Sequence, residues 1–115
     1  MIDFIIHSND TNWGKVWHII TTDGKGIITI ELDNEDKKRF YFYGLSVTPD
    51  LRRKGVGSTL LKAAEKLSIE NGGNVLRLNI DKPYYDWLYQ FYLDNGFELH
   101  DEDENEIYLV KYIKQ

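Results

Sequence analysis

Between residues 15 and 47, apolar and β-branched side chains come in three short blocks divided by polar turns. "KVWHIITT" (15–22) and "GIITIEL" (26–32) flank "DGKG", the pattern of a β-hairpin. "KRFYFYGLSV" (38–47) follows the charged turn "DNEDKK" (33–38). Its unbroken aromatic run predicts a strand in the middle of a sheet, with neither face wet. "TPD" ends it, Pro49 biasing Thr48 away from helix. The period then changes: Leu60, Leu61, Ala64 and Leu67 recur at helical spacing, Glu65, Lys66 and Glu70 fall between them, and Gly72-Gly73 makes a stop. "NVLRLNI" (74–80) returns to alternation. Strand, turn, helix and strand from 39 to 80 make a βαβ crossover with parallel pairing. Asp81 as N-cap and Pro83 in the first turn predict a second helix over 83–94, closed by Asn95-Gly96. "FELHD" and "IYLVKYI" then pair across "EDENE", and "MIDFIIHS" adds an edge strand. The expected fold is of the α/β class (α+β mixed), one domain over 1–115. It has a mixed sheet with a central βαβ unit, helices at about 57–71 and 83–94 packed on its faces, and a C-terminal hairpin.

Composition narrows what such a domain does. With 42% hydrophobic and 29% charged residues the chain is that of a folded protein. A net charge of -5 argues against a nucleic-acid partner held through a basic face. The absence of cysteine removes disulfides, thiolate catalysis and cysteine zinc sites, and no metal is expected. No stretch approaches the roughly 18 apolar residues of a membrane span, so no membrane partner is expected. The start "MIDFIIHSND" lacks the cationic and apolar regions of a secretory leader, which makes the cytoplasm the expected compartment.

Against that acidic background "RRKGVGSTLL" (52–61) is the one concentrated cationic segment, and it stands where a strand turns into a helix. The N-terminus of a helix carries unpaired N–H groups and about half a positive charge, which suits phosphate oxygens. Gly55 and Gly57 would let the backbone approach a diphosphate, with Arg52, Arg53 and Lys54 adding charge and forked hydrogen bonds. Read from the residues alone, the segment is either an anion cradle or a tight turn with solvated cations. It matches neither G-x-x-x-x-G-K-S/T, the phosphate loop, nor G-x-G-x-x-G, the dinucleotide fingerprint, whose third glycine is here Leu60.

The longer string "LSVTPDLRRKGVGSTLL" resembles the acetyl-CoA-binding segment of the GNAT superfamily of N-acetyltransferases, with the signature Arg/Gln-x-x-Gly-x-Gly/Ala. Arg52-Arg53-Lys54-Gly55-Val56-Gly57 fits it, preceded by Leu45-Ser46-Val47-Thr48-Pro49 of the central strand. A second family segment, an aromatic helix ending in Tyr-x-x-x-Gly-Phe, is matched by Tyr92 to Phe97. The resemblance runs from about residue 39 to the C-terminus.

It implies an acetyl-CoA-dependent N-acyltransferase that moves an acetyl group to a primary amine by direct attack. Acetyl-CoA would be the acyl donor, and the acceptor a small molecule or a peptide or protein amine. In the family the central strand splays from its parallel neighbour and leaves room for the pantetheine arm, a role that falls to Leu45, Ser46 and Val47. The Leu45 N–H would polarise the thioester carbonyl. The pyrophosphate would lie on the segment Arg52, Arg53, Lys54, Gly55, Val56, Gly57 and Ser58. Tyr92 would protonate the departing thiolate. Read without the family, Tyr92 is a packing residue in an aromatic cluster. Three departures qualify the assignment. An asparagine common seven positions before the tyrosine is Tyr85 here, and a glutamate sometimes found on the central strand is Tyr41, which leaves a water chain, or a neighbouring-strand group such as His18 or Glu31, to take the amine's proton. Only "NDTNWG" separates the first two strands, where the family usually places two helices. The acceptor side is therefore expected to be open, or completed by a second subunit in a homodimer or by a bound protein. The competing reading is a catalytically reduced module that binds acyl-CoA or a protein.

Overall fold

The computed structural model describes residues 2–12, 14–49, 55–82 and 85–113, and of residues 85–87 the backbone alone. The strands are β1 (Phe4–Thr11), β2 (Gly14–Thr21), β3 (Gly26–Leu32), β4 (Arg39–Val47), β5 (Val75–Asp81), β6 (Glu98–Glu102) and β7 (Glu106–Tyr112). The helices are α1 (Val56–Glu70), between β4 and β5, and α2 (Tyr85–Asp94), between β5 and β6. All seven strands form one sheet in the order β1-β2-β3-β4-β5-β7-β6, with β4 in the middle. β4 and β5 pair in parallel and every other neighbouring pair is antiparallel.

The expected elements are present with small shifts in their ends. β1 is longer than expected and runs to Thr11, so "NDTNWG" becomes part of a tight β1–β2 hairpin. Asp81 does not cap α2: it closes β5 opposite Glu106, and the next residue, Lys82, donates its N–H to the Asn105 carbonyl. The stop after α1 combines two different glycines. Gly72 takes a left-handed φ of 91°, whereas Gly73 lies where an added Cβ would fall 2.7 Å from the Phe40 ring and 2.8 Å from the Ser68 carbonyl.

The helices do not lie on both faces. Two successive right-handed crossovers that step in the same direction along a sheet put their helices on one side of it. Accordingly α1 and α2 touch, a Cβ at Gly57 falling 3.4 Å from the Phe91 ring. The core lies between them and the sheet, built from Trp17, Ile19, Ile28, Ile30, Phe40, Phe42, Leu76 and Leu109 with Leu60, Leu61 and Ala64 of α1. The second face carries no helix among the described residues. β4 is therefore not buried on both sides: Phe40 and Phe42 are in the core, while Tyr41 is half-buried and Tyr43 is 48% exposed. The aromatic run hid an alternation in which Tyr41 and Tyr43 stand on the open face, Tyr41 donating its hydroxyl to Asp33 at 3.2 Å.

Candidate active site

β4 and β5 pair only at Arg39–Val75, Phe40–Leu76 and Tyr41–Arg77. Beyond that point each strand continues with its other neighbour, β4 with β3 as far as Val47 and β5 with β7 as far as Asp81. Two strands that remain strands but stop pairing open a V in the middle of the sheet. A bulge in β4 contributes to it. Between the pairs Thr29–Tyr43 and Ile27–Ser46 the strand carries one residue too many, and Gly44 absorbs it with a left-handed φ of 65°. An isolated glycine in a strand pattern was the available sign of this bulge. Leu45 and Val47 pack against the core, and Ser46 is exposed. The three central-strand residues expected at the thioester thus form the wall of the V.

The V leads to the entrance of α1. Gly55 is its N-cap, left-handed at φ 82° and ψ 3°, and no side chain among the described residues caps the helix. The first turn contains no acid, and the first helical hydrogen bond runs from the Thr59 N–H to the Gly55 carbonyl. The amides of Val56, Gly57 and Ser58 precede that bond, at the positive end of the helix dipole. Gly55, Val56, Gly57 and Ser58 thus form the N-terminal entrance of α1. Arg52, Arg53 and Lys54 lie outside the described residues, as does the side chain of Tyr85.

Tyr92 comes from the last turn of α2 and is 7% exposed. Its ring packs edge-on against Phe91 at 5.2 Å and Phe97 at 5.7 Å. Burial pushes its pKa up to about 12. The Phe97 N–H and Asn95 N–H both bond to the Tyr92 carbonyl, which turns the chain from α2 into β6. Tyr92 thus occupies the aromatic cluster expected of a packing residue, with a phenol that stays protonated across the neutral range.

The two candidate bases both belong to the open face. His18 Nδ1 lies 3.0 Å from Thr29 Oγ1, its cross-strand neighbour. Tyr43 lies close to Glu31, and desolvation, with the Glu31 carboxylate as a second cause, raises the Tyr43 pKa. Because Tyr43 immediately precedes the Gly44 bulge, the Glu31–Tyr43 pair is next to the V, whereas His18 stands two strands away on β2. The Tyr43 contribution carries no motif in the sequence, since it depends on strand pairing. Among the described residues no group of three His, Asp or Glu side chains is placed to hold a metal ion.

Residues 5–97 match the model of the acetyltransferase (GNAT) family. No curated protein sequence matches the chain. Among solved structures, the fold is similar to that of a protein from Desulfovibrio desulfuricans assigned to the GNAT acetyltransferases, with a TM-score of 0.79 and 17% identity over 86% of this chain and 69% of that one. It is also similar to the PaiA N-acetyltransferase of Thermoplasma acidophilum in complex with coenzyme A (TM-score 0.72, 24% identity, 84% of this chain, 59% of that one). A third similar structure, from Bacillus anthracis and assigned as a streptothricin acetyltransferase, is in complex with acetyl coenzyme A (TM-score 0.72, 18% identity, 87% of this chain, 62% of that one). The chain spans less than two thirds of these last two proteins. With a family match over most of its length and a sheet that opens between β4 and β5 onto a glycine-capped helix, the chain belongs to the GNAT family of acetyltransferases.

Proposed function

We propose that the protein transfers an acetyl group from acetyl-CoA to a primary amine by direct attack of the amine on the thioester. The observation that carries this reading is the V between β4 and β5, which begins after Tyr41 and Arg77 and ends at the uncapped entrance of α1. A pantetheine arm fills the V, and its pyrophosphate lies on the amides from Gly55 to Ser58, with Arg52, Arg53 and Lys54 supplying charge. Similar structures hold coenzyme A and acetyl coenzyme A, which supports the donor. The Leu45 N–H, on the bulged strand, donates to the carbonyl oxygen as negative charge develops there. Tyr92 hydrogen-bonds the departing thiolate. A phenol with a pKa near 12 is a weak acid toward a thiolate, so it acts as the donor of that bond and keeps its proton, and the released thiolate is protonated from solvent. Glu31, through Tyr43, accepts the proton that the amine loses.

A second reading, an acyl-CoA-binding module without catalysis, is favoured by the helix-free face, where the usual front-end helices are replaced by the β1–β2 hairpin. Calorimetry with acetyl-CoA followed by thiol release over a panel of primary amines separates the two. The transferase reading expects saturable coenzyme binding and amine-dependent thiol release. Binding without release across peptide and small-molecule amines leaves the module, and absence of binding removes both.

A further inference from the structure

On the helix-free face, at the apex of the V, lies a cavity of about 330 Å³ lined by Tyr41, Arg77, Asn79, His100, Asp101 and Tyr108. Tyr41 and Arg77 are the last residues to pair before β4 and β5 separate, so the cavity adjoins the place where the thioester would emerge. Its cation is unusual. Arg77 is half-buried and forms no ion pair among the described residues, and its Nε–H is buried without an acceptor there. Among the described residues its one polar contact is from Nη2 to His100 Nε2, at 3.4 Å. A guanidinium can only donate, so the imidazole accepts through Nε2 and brings no charge to balance it. Buried arginines are nearly always paired, and an orphaned buried donor has lost its water without gaining an acceptor.

The neighbouring acids are engaged elsewhere. Asp33 is tied to Tyr41 and Arg39, and Asp103 and Glu106 both approach the Tyr108 hydroxyl, at 2.7 and 3.1 Å. Asp101 receives its own strand's Glu102 N–H. The placement of His100 is also built in. β6 has one extra residue between the pairs Leu99–Leu109 and Asp101–Tyr108, and that residue is His100, turned across β7 toward β5.

We propose that this cavity is the acceptor site and that Arg77 binds a carboxylate on the amine substrate, so that the preferred acceptors are amino acids or related carboxylate-bearing amines. This rests on the acetyl-transfer reading above. A carboxylate matches a single guanidinium fork in geometry and charge, and satisfies the orphaned Nε–H. A phosphate dianion fits less well, because a single guanidinium balances one negative charge and not two. The tyrosine rings of Tyr41 and Tyr108 wall the cavity for the rest of the acceptor.

The test has an arm that needs no turnover. In ¹⁵N-labelled protein, phenylacetate should shift the Arg77 Nε–H resonance saturably and phenylacetamide should not. Arg77→Lys identifies that resonance by its loss, and its melting curve checks that the fold is kept. In the second arm, amino acids should release thiol from acetyl-CoA with a KM at least tenfold below that of their amides. Arg77→Gln should erase that difference while leaving acetyl-CoA affinity unchanged in calorimetry. An Nε–H that ignores phenylacetate, or answers equally to phenylacetamide, overturns the carboxylate site. Loss of coenzyme binding in the unmutated protein would instead overturn the transferase reading, with the resonance still deciding the cavity.

Discussion

At the scale of single residues, three side-chain or backbone details have consequences that differ in kind. Gly55 stands in open space, so Gly55→Ala meets no clash and costs only the strain of a left-handed φ, roughly 1–2 kcal/mol. Gly73 has an ordinary φ but no room, so Gly73→Ala overpacks the core at Phe40 and should cost at least as much, about 1–3 kcal/mol. Urea denaturation of the two variants measures both, and a silent Gly73→Ala would mean that Phe40 is not held as described. A bulky residue at Gly57 would press on Phe91 as well as on a coenzyme, which makes Gly55 the cleaner probe of the cradle. Tyr92 allows two further tests. Replacing it by phenylalanine should lower kcat about a hundredfold with little change in coenzyme affinity. Its raised pKa also enters stability: below pH 10 folded and unfolded states both hold the proton, and between pH 10 and about 12 only the folded state does. Stability therefore falls through that window, by up to about 3 kcal/mol for this group. Tyr43 shifts in the same direction, so Tyr92→Phe should reduce the alkaline decline in the urea midpoint without abolishing it.

At the scale of elements, one lysine links both helices' surroundings to the sheet. Lys111 of β7 donates to Glu65 of α1 at 2.9 Å and to the Asn95 carbonyl, just after α2, also at 2.9 Å. Both side chains of the ion pair are largely covered, at 25% and 17% exposure, so it is less screened than a surface pair. Lys111→Met should cost about 1–3 kcal/mol, which lowers the melting temperature by several degrees, and Glu65→Gln should cost less because the amide oxygen still accepts. The β3–β4 turn depends on Asp33, which accepts the Glu35 and Asp36 amides and the Tyr41 hydroxyl. Those bonds, the Glu35 amide first, hold its carboxyl below the usual 3.8, so their contribution is present above that pH and is lost as the pH falls through the lowered value. These elements were legible in the sequence because each carried its own period or punctuation. The placement of both helices on one face was not, since it follows from strand order and crossover hand and no local pattern records either.

At the scale of the whole molecule, the sheet is unevenly protected. All eight residues of β1 and all five of β6 are exposed, whereas β3, β4, β5 and β7 contribute to the core. Native-state hydrogen exchange should therefore run from fast in β1 and β6 to near the global unfolding limit in β3, β4 and β5. Slow exchange in β1 would show that the helix-free side is covered in solution. Among the described residues one face of the sheet carries no helix, and there the Glu31–Tyr43 pair and the Arg77 cavity stand.

The donor half of the proposed chemistry could be read from the chain itself. The glycine turn with the strand before it, and the Tyr-x-x-x-Gly-Phe segment, are each a continuous stretch of sequence, and their physics is local: φ angles, helix-end amides and spacing along one helix. The acceptor half could not. The V depends on where β4 and β5 cease to pair, the bulge at Gly44 on the register against β3, and the Arg77–His100 contact on two residues 23 positions apart with β7 between their strands. Those are properties of pairing between distant segments, where a one-residue shift in register sends a side chain to the opposite face. The sequence by itself therefore determined the elements, their order and the glycine turn, and only the tertiary structure decided which face stays open and what gathers there.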